Sequence, residues 1–359
     1  MPLVFQLKSI TERFRVICNI GKGSYGVVQK CQDIITNDIV AVKKILQQNK
    51  MNDCPQNTIR EVLLLNELQH DNIVELKFIV QCKESDEGLY LVFEYCEYDL
   101  YALLYKSYLK PDYLKSLMKQ LLVALHVLSI RRIVHRDLKP ANIFVTRNNI
   151  LKLGDFGLAR QLSECTRYSH QVVTLWYRPP ELLLGVKQYG TEVDIWSAGC
   201  ILYEMVTSKV LFRSASNDDI SQLIEIFKLI GRPNKDWIGF QGEKANLFSS
   251  VKDKIPKDSY EKQSFKKHLE DTIPQEYQEM IDLLLKMLAL NPSERITAEE
   301  ALNHPFIRSI NDSIDPLKLP ELTFEEIHQL IVSEERKREK MAMVAENQRP
   351  EKRIPEPIK

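Results

Sequence analysis

Short β-branched runs alternate with turn signals through the first quarter of the chain. Val16-Ile17, Val27-Val28, Ile39-Val40-Ala41-Val42, Ile73-Val74 and residues 89–92 are set apart by Gly21, Gly23, Thr36-Asn37-Asp38 and Asp86-Glu87-Gly88. That pattern predicts an antiparallel meander from residue 14 to about 92. One helix interrupts it. After Pro55, Ile59, Val62, Leu63 and Asn66 fall on one face at 3.6 spacing with Arg60 and Glu61 beside them, so a helix is expected over 55–68. Beyond Tyr98 the chain turns to helix-length amphipathic segments at 113–130, 193–207, 218–230, 277–288 and 298–302. The expected class is α+β: a β-rich lobe with one helix, then a larger helical lobe, with a ligand cleft between them. No fixed-period repeat is visible. After His304-Pro305-Phe306, residues 308–359 form a Pro-spotted, charged tail. Its densest run, Glu334-Glu335-Arg336-Lys337-Arg338-Glu339-Lys340, reads as a solvated helix, with a docking segment as the alternative.

Composition narrows the function class. The chain has 359 residues, 44% hydrophobic and 27% charged, which suits a folded domain and excludes low-complexity disorder. Lys+Arg and Asp+Glu are both 49, so no overall charge favours direct nucleic-acid or membrane-surface binding. Cys18, Cys31, Cys54, Cys82, Cys96, Cys165 and Cys200 are scattered, with no C-x-x-C pair, and suggest a reducing compartment. Neither a secretory signal nor a lipidation motif is expected, and the longest apolar run, 121–130, is short for a membrane span, so a soluble intracellular protein is expected.

Ile20-Gly21-Lys22-Gly23-Ser24-Tyr25-Gly26-Val27-Val28 reads as G-x-G-x-x-G-x-V. A dinucleotide-binding fold would open a helix at the last glycine. Here β-branched Val27-Val28 follow, so the glycines are expected at a hairpin tip whose backbone can lie close over phosphate oxygens. An oxidoreductase also needs an acidic residue about 20 positions on within a βαβ unit, which is missing. Val40-Ala41-Val42-Lys43 is a strand ending in a basic residue 17 positions after Gly26, suited to pairing with phosphates, and Glu61 on the single helix can hold that lysine.

His135-Arg136-Asp137-Leu138-Lys139-Pro140-Ala141-Asn142 and Asp155-Phe156-Gly157 supply the acids that phosphoryl transfer needs. Asp137 suits the acid-base role toward a substrate hydroxyl, Lys139 would steady the γ-phosphate of ATP, and Asn142 and Asp155 would hold Mg²⁺.

These blocks, in this order, resemble the eukaryotic protein kinases. The resemblance covers residues 14–307 and implies a bilobal fold, with an ATP-binding lobe over 14–95 and a substrate lobe over 96–307. It also implies an ATP site that includes Ile20, Gly21, Lys22, Gly23, Ser24, Tyr25, Gly26, Val27, Val28, Ala41, Lys43, Glu61 and the hinge residues Glu94 and Cys96. The Cys96 thiol itself is given no chemistry. Pro179-Pro180-Glu181, Asp194-Ile195-Trp196-Ser197-Ala198-Gly199 and Arg295 resemble structural landmarks, with Arg295 pairing Glu181.

Three further stretches resemble the cyclin-dependent kinases: Thr58-Ile59-Arg60-Glu61-Val62, Val172-Val173-Thr174-Leu175-Trp176-Tyr177-Arg178, and the hinge Leu91-Val92-Phe93-Glu94-Tyr95-Cys96. The resemblance implies a cyclin partner and a preference for Ser/Thr-Pro sites. Arg178-Pro179-Pro180-Glu181-Leu182-Leu183-Leu184-Gly185, Cys96-Glu97-Tyr98-Asp99-Leu100 and Tyr189-Gly190-Thr191-Glu192-Val193-Asp194 are most similar to the branch acting on the heptad-repeat C-terminal domain of RNA polymerase II. That implies a role in transcription elongation and a nuclear location, with the cytoplasm as a second one. Cell-cycle kinases and a catalytically silent scaffold are the alternatives, the latter opposed by Lys43, Glu61, Asp137, Asn142 and Asp155. The resemblance places an activating phosphosite at Ser169, where the family normally carries threonine, with Arg60, Arg136 and Arg160 to bind the phosphate. Ser24 and Tyr25 sit where cell-cycle relatives carry inhibitory phosphates.

Overall fold

The computed structural model describes residues 3–23, 26–45, 56–84, 87–106, 110–162, 175–233, 237–248, 262–308, 316, 319–329 and 331–333. The first lobe is a six-stranded sheet in the order β1-β5-β6-β4-β3-β2. Its strands are β1 (Leu3–Leu7), β2 (Phe14–Gly23), β3 (Gly26–Asp33), β4 (Ile39–Ile45), β5 (Leu76–Cys82) and β6 (Gly88–Glu94). Inward-facing Phe14, Cys31, Val40, Val42, Val80 and Val92 build its own small core, as alternation on a half-buried strand requires. The turn expected at Thr36-Asn37-Asp38 joins β3 to β4, with Asn37 at φ 64°, a left-handed conformation that asparagine tolerates.

Three sequence expectations need correction here. Ile73-Val74 is not a strand of this sheet: Ile73 bridges Leu153 of the other lobe, and the strand in its place is β5. β5 was obscured because Lys77 and Gln81 interrupt its apolar text. The sheet also carries an unforeseen edge strand ahead of residue 14: β1 adds to β5 in parallel, from Leu3 opposite Phe78 to Leu7 opposite Cys82. The meander is therefore antiparallel in every pair except this edge.

The expected helix is α1 (Gln56–Glu67), but its faces are exchanged. Thr58, Glu61, Leu64 and Leu65 are buried, whereas Ile59 and Leu63, counted as the inward stripe, are 47% and 59% exposed. Glu61 is drawn inward by its ion pair, which turns the apolar residues of the next stripe out to solvent.

The second lobe packs on α3 (Pro111–Ile130) and, beyond the short α4 (Pro180–Leu183), on α5 (Glu192–Thr207). The 20-residue α3 is long and apolar enough to cross a bilayer by length and composition, more so than the 121–130 run suggested. It instead buries Leu117, Met118, Leu121, Leu122 and Leu125 in the lobe core. α5 is nearly all buried, with Trp196 stacked on Phe212 at 5.6 Å. The remaining predicted helices are present as α6 (Asp219–Ile230), Met280–Met287 and Ala298–Leu302, the last closed by a capping box between Thr297 and Glu300. An unforeseen short helix, α2 (Leu100–Tyr105), starts just after the hinge, capped by Asp99.

Residues 308–359 are not simply a charged tail. Leu322, Ile327 and Val332 are buried, and Ile327 bridges Tyr98 beside the hinge. The densest charged run, 334–340, lies outside the described residues.

Candidate active site

β2 and β3 form the expected hairpin over the cleft, with Gly21 opposite Val28 and Gly23 opposite Gly26. Ile20 falls at an irregularity of that register. Gly26 has to be glycine: its φ is 147°, and a Cβ there would lie 1.8 Å from the Lys44 carbonyl oxygen. Ser24 and Tyr25 at the tip, and the side chain of Lys22, lie outside what is described. Val27, Val28 and Ala41 are partly buried beneath the hairpin, and Val28 pairs with Lys43 across β3 and β4.

Lys43 donates to both carboxylate oxygens of Glu61 at 2.9 Å and stands 3.7 Å from Asp155. Burial pushes the pKa of Glu61 up against the pull of Lys43. At Asp155 burial also opposes ionisation, but Lys43, Lys139 and His135 outweigh it and hold the carboxyl below its ordinary range. Asp155 adopts φ 58° as the chain turns into Phe156. Phe156 is fully buried, with its ring edge-on to His135 at 5.0 Å. α1 packs on this same turn, so helix, lysine and Asp155 are assembled together.

The catalytic loop is held from below. Asp194 of α5 accepts the His135 and Arg136 backbone N–H groups at 2.7 and 2.9 Å, and His135 Nε2 meets the Gly154 carbonyl at 2.9 Å. In the sequence Asp194 stands only among structural landmarks; in the fold its carboxylate holds the loop backbone. In the loop, Lys139 Nζ donates to Asp137 at 2.7 Å and Asn142 Nδ2 donates to the same carboxylate at 2.9 Å. Asp137, Lys139, Asn142, Lys43, Glu61 and Asp155 thus converge on one cleft, as expected.

The oxygen donors suit a hard divalent cation. Asn142 spends Nδ2–H on Asp137, which leaves its Oδ1 for a metal, and Asp155 is ionised and one-third exposed. Among the described residues no cluster of three or more His, Cys, Asp or Glu could enclose a metal. Asn142 and Asp155 would give such a cation two protein oxygens, with nucleotide phosphates to supply others.

The side chains of the expected hinge residues Glu94 and Cys96 are engaged elsewhere. Glu94 is turned away onto Lys152 at 2.9 Å and the Glu75 N–H at 2.8 Å, an interlobe tie that the sequence did not show. Cys96 is buried, and burial, with Glu94 nearby, pushes its thiol pKa up, consistent with no thiol chemistry.

Arg60, Arg136 and Arg160 are brought together: burial, then Arg160 and Arg136, lower the pKa of Arg60. Arg136 donates Nε–H to the Leu158 carbonyl at 2.7 Å, which aims it along the chain after Asp155. Ser169, with Val172-Val173-Thr174, lies outside the described residues. Arg295 and Glu181 are joined as expected, by two hydrogen bonds of 2.6 and 2.8 Å with both side chains wholly buried.

The protein kinase domain pattern matches residues 14–307. The chain is 43% identical over 306 residues to "Cell division control protein 2 homolog 3" of Trypanosoma brucei brucei, covering 84% of this chain and 93% of that protein. It is 38% identical over 358 residues to "Cyclin-dependent kinase 12" of Caenorhabditis elegans, covering 94% of this chain but only 46% of that protein.

Proposed function

The chain belongs to the protein kinase family, among the cyclin-dependent serine/threonine kinases, and from that premise we propose that it phosphorylates Ser/Thr-Pro sites in the heptad repeats of the RNA polymerase II C-terminal domain. Membership brings ATP, a divalent metal, a protein substrate and a cyclin partner; Mg²⁺ as the metal, a role in transcription elongation and a nuclear location, with the cytoplasm as a second one, belong to the proposal. The observation that carries the substrate reading is the similarity to the cyclin-dependent kinase 12 protein. It spans 94% of this chain, more than the kinase domain match alone, so it continues into the flanking segments.

The chemistry follows from the cleft. Asp137, held by Lys139 and Asn142, orients a substrate hydroxyl and takes its proton as the γ-phosphoryl group departs. Lys43, fixed by Glu61, pairs with the α- and β-phosphates. The glycine hairpin lays backbone over the phosphates. Asn142 and Asp155 would hold a divalent ion, which would supply charge neutralisation to the transferring group. Phosphate on Ser169 would draw together Arg60, Arg136 and Arg160, whose positive charges repel one another.

The test is phosphorylation of a heptad-repeat peptide against a generic Ser-Pro-x-Lys peptide by the protein purified with its cyclin. Preference for the repeat supports the reading. Preference for the basic peptide moves the chain to the cell-cycle branch.

A further inference from the structure

Asp194, whose carboxylate holds the catalytic loop, also lines a cavity of about 420 Å³ in the second lobe, a volume in the range of ligand sites. The C-terminal end of α3, the start of α5 and residues 292–299 enclose it. Its floor is apolar, built from Leu125 and Leu128 of α3, Ile133, Ile195 of α5 and Ile296. Lys43, Asp137, Lys139, Asn142 and Asp155 take no part in the lining, so an occupant can sit there while the nucleotide cleft turns over.

The rim adds charge and an exposed apolar side chain. Glu192, in the first turn of α5, and Glu299, in the helix Ala298–Leu302, both line the cavity. Glu192 accepts the Gly190 N–H at 2.7 Å, and neither carboxylate forms an ion pair among the described residues. The Arg295 guanidinium in the same wall is wholly buried on Glu181, so no exposed lysine or arginine of the lining offsets the two acids. Ile130, the last residue of α3, also lines the cavity and is 66% exposed. A small ligand held inside would leave that side chain in water, whereas a chain running over the rim would cover it.

We propose that this cavity is a docking site for a basic–apolar segment of a protein substrate. Aliphatic side chains of the segment fill the floor and cover Ile130, and a lysine or arginine between them meets Glu192 and Glu299. The exposed apolar face that suits a cyclin lies on α1 of the first lobe, at Ile59 and Leu63, which leaves this second-lobe cavity to the substrate. Docking holds Ser/Thr-Pro sites of the same chain near the cleft, so it lowers KM and leaves kcat unchanged. The inference rests on the kinase reading but not on the heptad repeats as the substrate.

The test is fluorescence anisotropy on the cyclin-bound full chain at physiological ionic strength, with three short fluorescein-labelled peptides. One alternates arginine with leucine, one glutamate with leucine and one arginine with serine. The arginine–leucine peptide should bind at least about tenfold more tightly than the other two. Glu192→Gln combined with Glu299→Gln, or Ile130→Ser alone, should weaken it about tenfold, and Glu270→Gln, an exposed acid outside the lining, should not. A generic Ser-Pro peptide joined to the arginine–leucine sequence should show a KM about tenfold below the unjoined peptide at equal kcat, and Ile130→Ser should abolish that gain. Equal affinity for all three peptides, binding that none of the variants changes, or no gain on joining would each overturn the site. Carboxylate variants that lower only the melting temperature would overturn it too, and assign both acids to their helix N-termini. A dimer in sedimentation that Ile130→Ser dissolves would instead assign the face to a second copy of the chain. Heptad-peptide selectivity enters none of these readouts, so failure of the proposed substrate remains separate.

Discussion

Lys43 and Glu61 meet through two hydrogen bonds of 2.9 Å, joining the sheet to α1 with Asp155 only 3.7 Å beyond. The pair is nearly buried, with side-chain exposures of 13% and 4%, so each partner is costly to leave alone. Glu61→Gln keeps the shape and removes the charge that holds the lysine. It should lower kcat/KM about 10²-fold through misplacement of Lys43, with Lys43→Met at least as damaging. Steady-state kinetics of the cyclin-bound enzyme measure this; activity within twofold of the parent would remove Glu61 from the account.

Arg295 and Glu181 form a pair with no solvent exposure on either side chain, and the guanidinium also lies 4.9 Å from the centre of the Trp196 ring. Glu181→Ala leaves a buried cation unpaired and should cost about 3–5 kcal/mol of stability. Chemical denaturation of the isolated chain reads it directly as a lowered midpoint.

The outward face of α1 carries Ile59 and Leu63, 47% and 59% exposed. In a chain that works with a cyclin, this is the apolar surface a helix-binding partner would cover. Ile59→Asp or Leu63→Asp should weaken cyclin binding by about tenfold or more, while the stability of the free chain shifts by less than about 0.5 kcal/mol. Calorimetric titration with the cyclin and thermal melting of the chain alone separate the two effects. An unchanged affinity would place the partner elsewhere.

Arg13 binds Asp33 at 2.8 and 2.9 Å and lies 4.6 and 4.4 Å from the ring centres of Phe5 and Phe78. Burial tends to raise the Asp33 pKa, but the Arg13 bonds and the Ile35 N–H prevail and lower it from 3.8. A carboxyl with a lower pKa folded than unfolded stabilises fully above about pH 4, and that stabilisation is lost as pH falls through the folded pKa. Asp33→Asn should therefore lower the melting temperature at pH 7, with the gap to the parent closing below about pH 4. A gap that stays constant into acid would show that Asp33 contributes by shape alone.

Much of the cleft was legible because phosphate chemistry demands particular residues at close spacing: Asp137, Lys139 and Asn142 lie within one short loop, and Gly26 sits where only glycine fits. Helices with sustained 3.6 periodicity, such as α3 and α6, were equally readable. What failed had a common cause in tertiary contacts that no local pattern carries. The faces of α1 were exchanged because a charge, Glu61, is buried and paired across the lobe. Ile73-Val74 was assigned to the wrong sheet because its partner, Leu153, lies 80 positions away. The packed part of residues 308–359 was hidden because its buried apolar residues, Leu322, Ile327 and Val332, come at intervals of five, which fit neither a strand nor a helix. Asp194 shows no local sign that it will hold the His135 and Arg136 backbone, so its role emerges only from the fold.

The most direct test of the account is single-turnover phosphoryl transfer by Asp137→Asn, measured beside ATP affinity in the cyclin-bound protein. Asn keeps a hydrogen-bonding side chain beside Lys139 and Asn142 but cannot accept the substrate proton. Transfer should fall about 10²- to 10⁴-fold while ATP affinity stays within about threefold. Transfer at the parental rate would contradict Asp137 as the acid-base residue and, with it, the reading of this cleft as the site of chemistry.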